Sequence, residues 1–165
     1  MSHFKFVHDI NCNATRYWEV FFDDAYNKAI YSHVNVKERQ FLDMQENGNT
    51  KTWVLRVFPE RDLPGFVKKM INGDLGYIEH ATMDKAANRI NCRIEPTLFK
   101  EKTKINAVYS LEVLGPDKVR RTFEGDVEVS MPLIGRKVED VIVTDMTKAY
   151  DSIADFTNEW LVTHA

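Results

Sequence analysis

The chain is poor in the residues and spacings that mark most catalytic or metal-binding domains. Two of its 165 residues are cysteine, Cys12 and Cys92, far apart and outside any CxxC or histidine-rich arrangement. That spacing argues against a zinc site and a disulfide framework, and predicts two reduced, packed thiols. His3, His33, His80 and His164 do not cluster in sequence. There is no nucleophile motif and no phosphate-cradling glycine loop, so neither a metal nor a cofactor is called for. Basic residues are not in excess: 22 Lys and Arg against 25 Asp and Glu leave a net charge of −3, the wrong balance for a nucleic-acid binder. No apolar run approaches the roughly 18 residues that a membrane span needs. The opening "MSHFKFVHDI" alternates where a signal peptide would be continuously apolar. These absences predict a cytoplasmic location, which leaves the Asn13-Ala14-Thr15 sequon without consequence. Internal repeats, low-complexity tracts and linkers are missing too, so one domain over residues 1–165 is expected.

What is present is an ordinary globular composition, 44% hydrophobic and 28% charged, with clear periodicity. Phe4, Phe6, His8 and Ile10 alternate with polar neighbours as a strand does. Asn13 is placed to cap a helix, in which Trp18, Phe21 and Phe22 form the apolar side, and "DAYNKAIYSHV" predicts a second short helix or turn. Three hairpins follow. The first joins "RQFLDMQE" to "TKTWVLRVF" through "NGN", a strong reverse-turn signal. The second joins "LGYIEHATMD" to "NRINCRIE" around Lys85-Ala86-Ala87. The third joins "KINAVYSLEVL" to "KVRRTFEGDVEVSM" through Gly115-Pro116-Asp117. Between the first two lies "PERDLPGFVKKMINGD", a loop with one helical turn over 66–71.

Register sharpens the third hairpin. Pairing Leu114 with Lys118 sets Val113 opposite Val119 and Tyr109 opposite Phe123, so both apolar sets share a face. The other face carries Glu112 opposite Arg120 and Ser110 opposite Thr122. A slip of one residue would push an apolar set into water. A sheet with one apolar face must be covered, and residues 135–163 supply the cover. Val138, Ile142, Met146, Ala149, Ile153, Phe156 and Trp160 recur at spacings of three or four, opposite Asp140, Thr144, Lys148, Asp151 and Asp155. Such a helix is ~40 Å long at roughly 1.5 Å per residue. Pro132 and Gly135 break the last strand and turn the chain back over the sheet.

This order, together with "FKFVHDINCNATRYWEVFFD", "LPGFVKKMINGDLGYIEHATMD" and "RRTFEGDVEVSMPLIGRKVED", resembles the START/Bet v 1-like (SRPBCC) superfamily over nearly the full chain. Within it the chain is similar to the uncharacterised bacterial family DUF2505. The resemblance implies an α+β helix-grip fold: a curved seven-stranded antiparallel sheet wrapped around a long C-terminal helix, with two short helices after the first strand. It also implies an apolar molecule, such as a lipid, sterol or polyketide, held between sheet and helix. It brings no fixed catalytic motif.

The residues on inward parities are then candidates for a ligand site. They are Tyr109, Leu111, Phe123 and Val127 from the sheet, Ile142, Met146, Ala149 and Ile153 from the helix, and Ile90, Cys92 and Ile94 from the preceding hairpin. The same side chains would fill a normal core if they met. His8, Arg121 and Glu79 are polar residues on inward parities. A buried charge needs a partner, water or a ligand. Arg121 could fix a carboxylate or phosphate and His8 could bond a ligand hydroxyl; the plainer readings are a satisfied core histidine and an arginine that snorkels to water. Trp53 and Tyr77 read as core aromatics, and Gly125 as the place where the sheet bends. Phe66, Val67, Met70 and Ile71 beside Lys68 and Lys69 allow at most a transient membrane contact, and packing over a cavity mouth is the plainer reading of that loop. Three functions remain. Binding or transport of a hydrophobic, lipid-like molecule leads. A polyketide cyclase or aromatase using His8, Tyr109 or Arg121 requires those groups to converge in one cavity. A protein-interaction module requires an exposed apolar patch without a cavity.

Overall fold

The structure, a computed structural model, describes residues 1–60, 62–70 and 75–165. β1 (Ser2–Ile10) leads into α1 (Ala14–Phe22) and α2 (Asp24–His33). Both helices start on side-chain caps. Asn13 Oδ1 accepts from the Arg16 amide at 2.8 Å, and Asp23 Oδ1 from the Tyr26 amide at 2.7 Å. β2 (Val36–Asn47) and β3 (Thr50–Pro59) form the first hairpin, with Gly48 at φ +56 in its turn. After α3 (Gly65–Lys68) come β4 (Tyr77–Asp84), β5 (Arg89–Pro96), a 3-10 turn (Lys100–Lys102), β6 (Thr103–Gly115), β7 (Lys118–Val129) and α4 (Gly135–Thr163).

The seven strands make one antiparallel sheet in the order β1-β7-β6-β5-β4-β3-β2, curved around α4 in the helix-grip arrangement. In the β6–β7 hairpin Val113 faces Val119, Tyr109 faces Phe123, Glu112 faces Arg120 and Ser110 faces Thr122. At the tip Lys118 faces Gly115 rather than Leu114. Leu114 is the extra residue of a bulge, which lets Pro116 and Asp117 alone make the turn. In α1, Trp18, Phe21 and Phe22 pack half-buried against the core as expected, beside the more deeply buried Tyr17 and Val20. Trp18 keeps its indole nitrogen at the rim, donating to Asn88 Oδ1 at 2.8 Å, as an amphipathic ring prefers. The helical turn after Pro64 is shorter than 66–71, and Ile71 lies outside the described residues.

α4 lies against β1 and β7 at one side and α2 at the other. Against the first, Phe4, Phe6, Phe123 and Tyr150 form an aromatic block with neighbouring centroids 4.8 to 6.5 Å apart. Against the second, Tyr26 packs on Phe156 and Trp160, and its hydroxyl lies 2.7 Å from Thr157 Oγ1. Gly125 faces both Phe4 and Ala107 across its two neighbours. A Cβ there would sit 2.2 Å from the Asn106 carbonyl oxygen and 2.7 Å from Ala107 Cα, so close backbone approach demands glycine at this bend.

Candidate ligand-binding cavity

α4 does not fill the concave side of the sheet. Between them is a cavity of about 300 Å³. It is bounded by β2 to β7, by α4, and by α1 and α2, while Leu63 and Val67 bring the α3 segment against it. Of the residues proposed from sequence, Tyr109, Arg121, Phe123, Ile142, Met146, Ala149 and Ile153 line it, together with Ile90, Cys92, Ile94 and Glu79. Glu79 does so because it pairs with Ile94 and so shares that residue's face.

Leu111 and His8 do not line it. Tyr109 ends the β6 contribution, its ring set among Tyr17, Trp18 and Phe21; Leu111 lies one inward position beyond and is buried in solid core. Val127 is likewise fully buried core. His8 is drawn instead to the seam between β1, β7 and α4. Its Nε2 lies 2.7 Å from Asp151 Oδ1, and its Nδ1 3.0 Å from Arg121 Nη2. Arginine cannot accept, so Nδ1 accepts and Nε2–H donates to the carboxylate.

Arg121 does not reach water. It is 2% exposed. Nη2 donates to His8 and to the Tyr150 carbonyl at 2.9 Å, the guanidinium stands 5.6 Å from the Tyr150 ring centroid, and Nε has no partner. Beside it the Tyr17 and Tyr109 hydroxyls touch one another. Burial pushes both phenols above their ordinary range, so they are neutral donors and acceptors at physiological pH. Toward β4 and β5, burial also raises the carboxyl of Glu79, a shift that the charge of Arg39 opposes. Arg39 itself bonds Asn27 Oδ1.

Several lining residues were not legible in the strand and helix periods. Tyr150 follows Met146 by four residues, as inward a position as Ala149. Phe99 adopts φ +54, a left-handed conformation that costs a bulky residue roughly 1–2 kcal/mol. A compositional signal existed nonetheless: Tyr17, Tyr26, Tyr31, Tyr77, Tyr109 and Tyr150 are all the tyrosines of the chain, and every one lines this cavity.

The family model for DUF2505, a protein family of unknown function, matches residues 5–161. The chain belongs to DUF2505. None of the curated proteins matches it. Among solved structures, this DUF2505 protein is similar to a START superfamily protein from Mycobacterium smegmatis, with a TM-score of 0.65, 17% identity, and 99% of each chain covered. It is also similar to the Zhui aromatase/cyclase from Streptomyces sp. R1128, at 0.64 and 12% identity over 98% of this chain and 95% of that one. Norcoclaurine synthase from Thalictrum flavum, in complex with dopamine and hydroxybenzaldehyde, gives 0.65 and 11% over 99% and 88%. At these identities the likeness shows the START/SRPBCC fold alone. No described helix is long and apolar enough to cross a membrane, and no His, Cys, Asp and Glu cluster among the described residues is suited to a metal.

Proposed function

We propose that this DUF2505 protein binds, and carries, a hydrophobic small molecule between its sheet and α4. The observation that carries the reading is the cavity itself: about 300 Å³, with a largely apolar wall drawn from both layers of the fold. Small-molecule sites have this character, a mostly apolar wall with a few placed polar groups, and begin near this size. An internal space of this kind also counts against a protein-interaction module, whose binding surface would lie outside. Loading at a membrane would use the α3 segment, where Phe66 is exposed beside Lys68 and Lys69 while Val67 is turned into the cavity.

Native mass spectrometry of gently purified protein tests the reading. A bound mass that is lost on denaturation is the expected result. If none is found, and apolar fluorescent probes fail to enter, carriage is ruled out.

A second reading, an enzyme of cyclase or aromatase type, is favoured by one feature. Tyr109 and Arg121 line the same cavity with Tyr17 beside them, while Glu79 faces it from β4. Recovery of the bound molecule after prolonged incubation with the protein separates the two. A carrier returns it unchanged, and a cyclase returns it cyclised or short of one water.

A further inference from the structure

Arg121 is a buried cation without a buried anion. Among the described residues no carboxylate forms an ion pair with it; the nearest in its hydrogen-bond chain is Asp151, beyond the His8 ring and 63% exposed. Its compensation consists of dipoles: a carbonyl, an imidazole lone pair and neighbouring phenols. Nη2 has placed both its protons on protein acceptors, while Nε has placed none. An ion desolvated in this way carries a penalty that an anion of matching shape would offset. The Tyr17–Tyr109 pair points the same way. Two hydroxyls share one mutual hydrogen bond, so one phenolic proton is left to donate to an acceptor outside the pair.

Resting on the binding reading above, we propose that the ligand is a monoanion, an apolar body bearing one carboxylate, which is received by Arg121 and the Tyr17–Tyr109 hydroxyls. With both Nη2 protons committed, a carboxylate oxygen accepts from the open Nε–H and from the free phenolic proton, and such charge-assisted bonds are about twice as strong as neutral ones. A phosphate dianion fits less well. Of the two arginines that line the cavity, Arg39 is bonded to Asn27 and faces the charge of Glu79, which leaves Arg121 alone to meet the anion, and Glu79 and Asp145 line the same space. The body fills the remainder, against Ile90, Ile142, Met146 and Ile153.

The test is calorimetric titration of protein stripped of bound molecules with matched acids and alcohols: decanoate against decanol for a chain, 2-naphthoate against 2-naphthylmethanol for a ring system. In at least one pair the acid should bind ten-fold or more tightly than the alcohol, and the pair that shows it identifies the body. In Arg121→Gln the two should bind equally, at the affinity the alcohol has for the unaltered protein. Arg121→Lys, which keeps the charge, should restore part of the preference. Should Arg121→Gln not fold, Tyr17→Phe serves instead, removing one phenol and lowering acid affinity several-fold without change for the alcohol. Equal affinities in the unaltered protein, or a preference that survives Arg121→Gln, would overturn the anion site while leaving an apolar binder. If neither acids nor alcohols bind, the binding reading itself fails.

Discussion

The two sides of α4 meet the same sheet in opposite ways. Toward β1 the space is full. Phe4, Phe6, Phe123 and Tyr150 stack, Gly125 leaves no room for a methyl group, and Glu139, 2% exposed, is held by the Val129 amide at 2.9 Å and the Ser2 hydroxyl at 2.8 Å. Toward β3, β4 and β5 the helix stands off, and Met146, Ala149 and Ile153 border the cavity. One helix is therefore a structural anchor at one side and a cavity wall at the other. Packing is tightest where β1 edges the sheet, and the open side can accept a ligand without dismantling the core.

Substitutions should separate the two sides. The largest effect is expected at the bend: Gly125→Val drives a side chain into the Asn106 and Ala107 backbone, and should cost ~3 kcal/mol or more, read as loss of the cooperative urea transition. Phe4→Ala, in the filled side, should cost about 3–5 kcal/mol. Met146→Ala, whose side chain already borders a void, should fall at or below the ~2 kcal/mol lower end for such truncations. Equal losses for Phe4 and Met146 would refute the contrast.

The buried acids extend it to pH. Burial tends to raise Glu139, but the Val129 amide and Ser2 hydroxyl hold it below the usual carboxylate value. Its stabilisation is present above about pH 4.5 and is lost as pH falls through the lowered folded value. Glu139→Gln should thus lose ~1–2 kcal/mol at pH 7, the deficit shrinking in acid. Glu79 has the opposite sign. Burial raises it against Arg39, so its destabilising effect sets in as pH rises past about 4.5 and through the raised folded value. Glu79→Gln should melt slightly above the unaltered protein at pH 7 and level with it at pH 4, the smallest change of the set.

Much of this was legible in the sequence. Period two placed the strands, and the one-residue penalty for slippage set the β6–β7 register, wrong only where Leu114 bulges. Period 3.6 marked α4 to its last turn. Parity also put Tyr109, Phe123 and Glu79 on the inner face. It failed for His8 and Leu111 because parity names a face and not what lies over it. His8 shares its face with Phe4 and Phe6, yet the helix surface above it offers Asp151, and Leu111 is sealed behind Tyr109. Arg121 reverses the usual expectation for a strand arginine near a turn, since His8 and the Tyr150 carbonyl hold its head inside.

Composition and spacing alone determined the alternation of elements, the dry face of the sheet and the helix that must cover it, because apolar side chains at fixed periods have only one way to leave water together. Whether that cover closes tightly or leaves room depends on curvature, on Gly125 and on how far the aromatic block holds α4 away from β4 and β5. Those are distances between parts remote in the chain, and no local pattern carries them. The cavity, the gathering of six tyrosines around it and the buried charge of Arg121 therefore emerge only in the folded protein.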